Sequence, residues 1–459
     1  MSRKLIGFVF CFLPALLSAQ QKSDFEQILD RLERIERENR NLAAEVRALR
    51  EELAQSRSTA TTPPTAIPEP AAIPAPAAIP LDERVAINET RIAEHAQSKV
   101  ETSQKLPVTL TGMVLFNAFL NGRASGGSEY PTTAAPGINS SVAGATLSQS
   151  VVGLKFQGPE IFWGGHINGS MYVDAWGGSP SNSLNHLIRL RVATVELDWK
   201  NISIVAGQDK PIVSPREPNS LAQVAVSPLT GAGNLWLWSP QLRVDRRFAL
   251  GEQSGLTAQV GVYQTSEPAY SSRGGDAAIP STPRPAIEGR FEFWHNFREG
   301  SRIEIAPGFH ESTTHAGGFS AASRLGTVDW LVQPFAKLQF TGMLFFGENA
   351  AGLGGLRQGF TVVNDRRAIP IGANGGWAQL SYLATKRLTF NFFGGLENDR
   401  AADLLSGDIH RNSMVAANAI YRLGSNVLIG LEASQVRTNY FLLPSRLNNH
   451  YDVSLGYLF

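Results

Sequence analysis

The sequence predicts a transmembrane all-β fold, a 16-stranded antiparallel up-and-down β-barrel, preceded by an N-terminal α-helical coiled coil. Three observations predict it. From Leu106 onward apolar side chains recur at every second position, in segments of about ten residues, the length of a tilted membrane strand. The connections between these segments alternate short and long. The last segment alternates apolar residues up to a terminal aromatic, Phe459.

Composition narrows the choice. The chain has 459 residues, with 41 Lys plus Arg against 40 Asp plus Glu, a net charge of +1, so the basic excess of a nucleic-acid binder is missing. Charged residues are 18%, low beside the ~25% of soluble domains. Mean hydropathy is −0.11, which argues against a bundle of transmembrane helices. The single cysteine, Cys11, falls in a segment expected to be removed, so the mature chain is expected to hold no disulfide, thiolate metal site or cysteine nucleophile.

Residues 1–19 read as a signal peptide: Arg3 and Lys4 form the positive start, Leu5 to Leu17 the apolar stretch, and Leu17-Ser18-Ala19 the cleavage site. The apolar run is shorter than a spanning helix needs. Phe8-Val9-Phe10 before Cys11 lacks the small residues of a lipoprotein site. Residues 20–57 are expected to form a periplasmic coiled coil. Phe25, Leu32, Asn39, Val46 and Leu53 take heptad position a, and Ile28, Ile35, Leu42 and Leu49 take position d. That spacing keeps one apolar seam against a partner helix, with Asn39 as the polar register device. The pairs Arg31–Glu36 and Glu45–Arg50 suit parallel, in-register strands, and the β-branched early d residues lean away from a dimer. Residues 58–80 are Pro/Ala-rich and read as an extended polyproline spacer. Residues 81–105 form a short helical segment, with Leu81, Val85, Asn88 and Ile92 at helical spacing.

The barrel occupies 106–459. Its strands are expected to begin near Val108, Ser148, Gly165, Leu187, Ile202, Leu235, Leu256, Ala286, Arg302, Leu325, Leu338, Gly376, Leu388, Asn412, Asn426 and Asn449. Short turns include Trp199-Lys200-Asn201, Arg298-Glu299-Gly300, Thr385-Lys386-Arg387 and Leu423-Gly424-Ser425. Long loops are expected at 122–146, 208–234, 265–285, 347–375 and 437–448. Short turns at one end and long loops at the other is the arrangement of bacterial membrane barrels. The alternation has a polarity as well. Gln241, Arg243, Asp245 and Arg247 share one face, and Leu242, Val244 and Phe248 the other. In lipid the charged face turns to a watery lumen and the apolar face to acyl chains, and only a closed barrel leaves no unpaired edge in hydrocarbon. Trp163, Trp199, Tyr421 and Phe459 lie near short turns, where an interfacial aromatic girdle belongs.

Tyr451, Val453, Leu455, Tyr457 and Phe459 resemble the C-terminal assembly signal of Gram-negative outer-membrane proteins. With the signal peptide, heptad helix and Pro-rich spacer, the chain resembles the trimeric porins of the DcaP-like group, which carry a periplasmic coiled coil. Residues 189–199 and 205–210 are similar to the fourth and fifth strands of such porins, where a Gly-Gln turn leads into a long third loop. The resemblance implies a homotrimer in the outer membrane with its N-terminal region in the periplasm. It also implies outer-membrane lipid as surroundings, the barrel-assembly machinery as a partner in biogenesis, and loop 208–234 folded into the lumen.

No catalytic constellation appears, so the chain does not read as an enzyme. His310 and His315 flank Glu311 in HESTTH, but the spacing fits neither a metallohydrolase helix nor a matched ligand pair, and an extracellular loop is expected there. No metal or cofactor is expected. The chemistry left is permeation. Asp209, Lys210, Arg216 and Glu217 lie in the third loop, and Arg189, Arg191, Arg243, Arg247 and Arg290 are candidates to line the lumen beside it. Guanidinium groups favour anions, while Asp245, Glu288 and Glu292 oppose them. The alternative is that each arginine pairs with a carboxylate and stabilises the wall. The reading is therefore a passive diffusion channel for small hydrophilic solutes, with anions or dicarboxylates favoured. Two rival readings stand beside it: a barrel whose coiled coil tethers the membrane to peptidoglycan, and an outer-membrane hydrolase.

Overall fold

The computed structural model describes residues 107–459, apart from 138–139, 178–186, 264–284, 299, 317–318 and 364–366. The expected signal peptide, coiled coil, spacer and second helical segment lie outside the described residues. So does most of the long loop expected at 265–285.

The described residues form nineteen strands: β1 Val108–Asn121, β2 Val142–Thr146, β3 Val151–Ile161, β4 Gly165–Asp174, β5 Arg189–Trp199, β6 Ile202–Asp209, β7 Ser239–Ala249, β8 Ser254–Tyr263, β9 Ala286–Arg298, β10 Ser301–Ala316, β11 Phe319–Phe335, β12 Leu338–Glu348, β13 Phe360–Val363, β14 Arg367–Pro370, β15 Gly372–Leu383, β16 Leu388–Asp399, β17 Ile409–Arg422, β18 Val427–Tyr440 and β19 Arg446–Leu458. β13 and β14 form a separate hairpin, and the other seventeen form one sheet. β2 and β3 both pair with β1, through Asn117↔Thr146 and Met113↔Val151, so they are two pieces of one crossing. The wall therefore has sixteen antiparallel crossings. It closes where β1 meets β19 (Leu115↔Gly456, Asn117↔Ser454), and Gly112 and Phe459 exchange backbone hydrogen bonds at 3.0 and 3.2 Å. Closure leaves no open edge, as period-2 strands in an apolar medium require.

The side-chain pattern is inside-out. Along β19, Tyr451, Val453, Leu455 and Tyr457 are each about half exposed, while His450, Asp452 and Ser454 between them are buried. β7 behaves the same way: Leu242, Val244 and Phe248 point outward, Gln241 and Asp245 inward. This is the polarity of a wall with lipid outside and water inside. At the short-turn end, Trp163 is 88% exposed, Phe162 packs edge-on against it at 4.8 Å, and Trp199 Nε1 donates to the Phe162 carbonyl at 3.0 Å.

Several boundaries differ from the sequence reading. HESTTH is no loop: β10 runs through it to Ala316 and pairs with β11 to Ala316↔Phe319. His310 consequently faces inward and hydrogen-bonds Glu288 at 2.9 Å. The long loop expected at 437–448 shrinks to 441–445, because the alternation of β18 and β19 continues past the membrane belt. The loop at 347–375 holds the β13–β14 hairpin. The lumen also departs from a purely polar lining. Met343, Phe345, Trp377, Phe393, Met414 and Leu325 point inward and are almost fully buried, because loops pack on them.

Candidate functional site

The connection between β6 and β7, residues 210–238, is the third long loop. It lies inside the barrel rather than above it. Ile212, Val213, Ala222, Ala225, Leu229, Ala232 and Leu235 are buried, and its backbone bonds to the wall almost all the way round. On leaving β6, Gln241 Nε2 donates to the Lys210 carbonyl (2.8 Å) and Ile212 N donates to the Tyr263 hydroxyl (2.8 Å). On the far side, Asn219 N donates to Gln379 Oε1 on β15 (2.6 Å), Asn418 Nδ2 on β17 to the Asn219 carbonyl (2.8 Å), and Ser220 Oγ to Glu432 on β18 (2.6 Å). Asn117 Nδ2 on β1 then reaches the Leu221 carbonyl at 2.9 Å.

The tip of the loop is held by Gln149, which is fully buried. Its Nε2 donates to the Ala222 carbonyl (2.7 Å) and its Oε1 accepts from Val224 N (2.7 Å) and Ala225 N (3.2 Å). Gln149 sits in the four-residue break between β2 and β3; such irregularities re-aim side chains. In the sequence reading 142–146 belongs to the long loop at 122–146 and a strand starts near Ser148, so it contains neither β2 nor the break.

The return limb packs on a small apolar core inside the lumen. Val213, Leu229, Ala232 and Leu235 of the loop meet Phe345, Trp377, Phe393, Met414 and Val436 of the wall and Ala350 and Leu353 of the 349–371 loop. Gly231 N donates to the Gly354 carbonyl (3.1 Å) and Trp236 N to the Leu353 carbonyl (2.7 Å). Two glycines permit the approach. Gly233 has φ +101° and a Cβ there would strike the backbone of Gly376 on β15, while a Cβ at Gly395 on β16 would strike the Ala232 carbonyl of the loop.

The sequence-predicted charges fall into separate groups. Arg216 crosses from the loop to the wall and pairs with Asp329 on β11, Glu304 on β10 and, at 3.4 Å, Glu292 on β9. Arg290 joins this group: it grips Asp329 through Nε (2.6 Å) and Nη2 (2.9 Å) and bonds Glu292 at 2.6 Å. Arg302 bonds Glu304, and its guanidinium lies 5.0 Å from the Trp294 ring centre. Three cations and three carboxylates thus balance. Asp329 and Glu304 had no assigned role in the sequence; their signal is the inward phase of β10 and β11.

A second group forms around Lys210, whose Nζ is 2.7 Å from Glu217 Oε1. Burial alone pushes the Glu217 carboxyl up, but the Lys210 ammonium and the hydrogen bonds from Lys210 and Ser227 outweigh it and hold the group below the ordinary carboxylate value. Arg243 bonds Asp209 (2.9 Å) and Asp245 (3.3 Å).

The third group is cationic. Arg189 binds Asp174 at 2.7 Å and also donates to the Ala225 carbonyl of the loop. Arg191 is 3.5 Å from the same carboxylate, and its buried Nη1 makes no hydrogen bond. Both guanidiniums stack near Trp238, at 5.1 and 4.9 Å from its ring centre. Two cations converge on Asp174 here, and the other carboxylate near Arg191, Glu217, is paired with Lys210. Arg247 is not part of the constellation: it lies at the short-turn end, bonded to Asp198 (2.7 Å) and the Trp199 carbonyl (2.6 Å). Among the described residues no cluster of three or more His, Cys, Asp or Glu has metal-binding geometry.

No protein-family model matches the chain, and no curated protein sequence matches it. Solved structures do match. The outer membrane channel DcaP of Acinetobacter baumannii superposes with a TM-score of 0.62 at 16% identity, over 77% of this chain and 97% of that one. An anion-selective porin from Comamonas acidovorans superposes with a TM-score of 0.53 at 13% identity, over 77% and 99%. At such identities the fold is what is shared.

Proposed function

We propose that the chain is an outer-membrane porin, a passive diffusion channel for small hydrophilic solutes that favours anions, including dicarboxylates. The observation that carries this is the loop at 210–238, tied to the inner wall on both sides of a closed barrel. A barrel that served only as an anchor has no need of a buried loop narrowing its bore. Asp209, Lys210, Arg216 and Glu217 border the constriction, with Arg243 and Arg290 on the facing wall. The preference for anions rests on Arg189 and Arg191, which converge on Asp174 beside Trp238, with the next carboxylate, Glu217, already paired with Lys210. An excess of guanidinium charge beside a narrow aqueous passage lowers the energy of a passing carboxylate and raises that of a cation. Tyr451, Val453, Leu455, Tyr457 and Phe459 act as the signal read by the barrel-assembly machinery. The N-terminal heptads assemble three protomers in the periplasm, within reach of the cell wall.

Planar-bilayer recording of the purified full chain tests the reading. Stepwise conductance closing in three levels, with a reversal potential in a KCl gradient displaced toward chloride, is the expected result. A protein that inserts without conducting rejects the channel.

A further inference from the structure

The outward wall carries a feature that permeation does not use. Across β1, β2 and β16–β19 the lipid-facing surface sinks into an apolar groove of about 930 Å³. The register explains it. Ala419 stands between Phe390 and Leu431 on the neighbouring strands, and Ala433 stands between Ala417 and Tyr451. Ala417, Ala419 and Ala433 are several ångströms shorter than Phe390, Leu431 and Tyr451 around them, so a trough runs along the alanines.

Above the groove, toward the long-loop end, the outward face changes character along a single strand. β18 presents Leu431 and Ala433, then Gln435, then Arg437. Gln435 Nε2 donates to Asn449 Oδ1 on β19 at 2.8 Å, an exposed amide pair between the apolar zone and the cation. On β17 the outward Arg411 pairs in register with Asn439, and Arg437 with Ser413, so the two arginines are diagonal neighbours, roughly 7–8 Å apart along the backbone and within reach of one another's long side chains. Both are exposed, and among the described residues neither guanidinium takes part in an ion pair or hydrogen bond. A third outward arginine shows the contrast. Arg324 on β11 is flanked by Glu311 at 3.5 Å and Glu348 at 3.7 Å and is neutralised within the protein.

An apolar trough, an amide layer and two uncompensated guanidiniums, stacked in that order along the membrane normal, match the layers of one kind of molecule. We propose that this face binds a phosphorylated lipid of the outer leaflet, its acyl chain in the alanine groove, its ester or amide linkage at Gln435 and Asn449, and its phosphate between Arg411 and Arg437. Arginine at such a site gives bidentate phosphate recognition, and removal from bulk water strengthens the pair. The assignment needs the lipid-facing wall and does not depend on the barrel conducting.

The test is native mass spectrometry of the full-length chain in detergent, titrated with dioleoyl phosphatidic acid. Dioleoylglycerol, which lacks the phosphate, and glycerol 3-phosphate, which lacks the chains, are expected to bind at least about tenfold more weakly, because each loses one half of the site. The double substitution R411A/R437A is expected to weaken phosphatidic acid by about tenfold or more, while R324A leaves it unchanged. A433W, which fills the trough, is expected to weaken it equally. Bilayer conductance of R411A/R437A should match the unsubstituted protein, separating this result from the channel assignment. Unchanged lipid retention in R411A/R437A overturns the proposal, as does glycerol 3-phosphate binding as tightly as the lipid. A loss of oligomer mass in A433W, with phosphatidic acid retention unaltered, also overturns it and gives the groove to a second copy of the chain.

Discussion

Arg216 in the lumen loop donates a hydrogen bond to Asp329 on β11, 113 residues further along the chain. Asp329 is at the same time gripped by Arg290 through two nitrogens, so one buried carboxylate joins the loop to the wall. Removing one partner of such a group leaves uncompensated charge in a poorly solvated place.

Arg216→Ala is therefore expected to cost about 3 kcal/mol of loop docking. Glu304, Glu292 and Asp329 each lose one of two cationic partners, keeping Arg302 or Arg290. Single-channel recording should show a noisier open state, and limited proteolysis should cut within 210–238, where the unsubstituted protein resists.

The apolar core inside the lumen makes its own prediction. Phe393 points inward and is fully buried against the loops, whereas Phe392 beside it is 60% exposed on the outer face. Phe393→Ala is expected to destabilise the barrel by about 3–5 kcal/mol, and Phe392→Ala by clearly less. The heat at which each variant loses its folded mobility on a gel measures the difference.

Charge selectivity should follow the cationic group. Arg191→Ala or Arg189→Ala removes one of two cations sharing Asp174. The reversal potential in a salt gradient is expected to move toward potassium in both, and further in the double variant. Arg247→Ala, at the short-turn end and matched to Asp198, is expected to move it little.

Acid should loosen the loop. The Glu217 carboxyl is held below its usual value of 4.5 by Lys210 and Ser227 against the opposing effect of burial. A depressed value in the folded state contributes stability above about pH 4.5, and that contribution is lost as pH falls through the folded value. Glu217→Gln is expected to remove the pH dependence of proteolytic access to 210–238 below pH 5.

The architecture was legible because it follows from local rules. Short turns such as Trp199-Lys200-Asn201 and Leu423-Gly424-Ser425 appear where the alternation breaks, and the inward phase of Gln241 and Asp245 could be read from their period. Strand ends at the long-loop side were misplaced, as at HESTTH, because residues beyond the membrane belt keep pairing without the apolar signal that marks a strand. The constellation at the loop was half legible. Arg216 and Glu217 stood out as charges in a long loop, and Asp329 only through the inward phase of its strand, but Gln149 and the inward Phe393 carried no local mark.

Alternation, turn chemistry and loop length, all properties of neighbouring residues, determined that this chain closes into a sixteen-crossing cylinder with its apolar side outward. Which arginines are neutralised, which are left over at Trp238 or on the outer face, and how a loop threads through the bore were decided only in three dimensions. The reason is that charge pairing and burial depend on what the far wall presents, and residues such as Arg216 and Asp329 meet only after the sheet has curled round and joined β1 to β19.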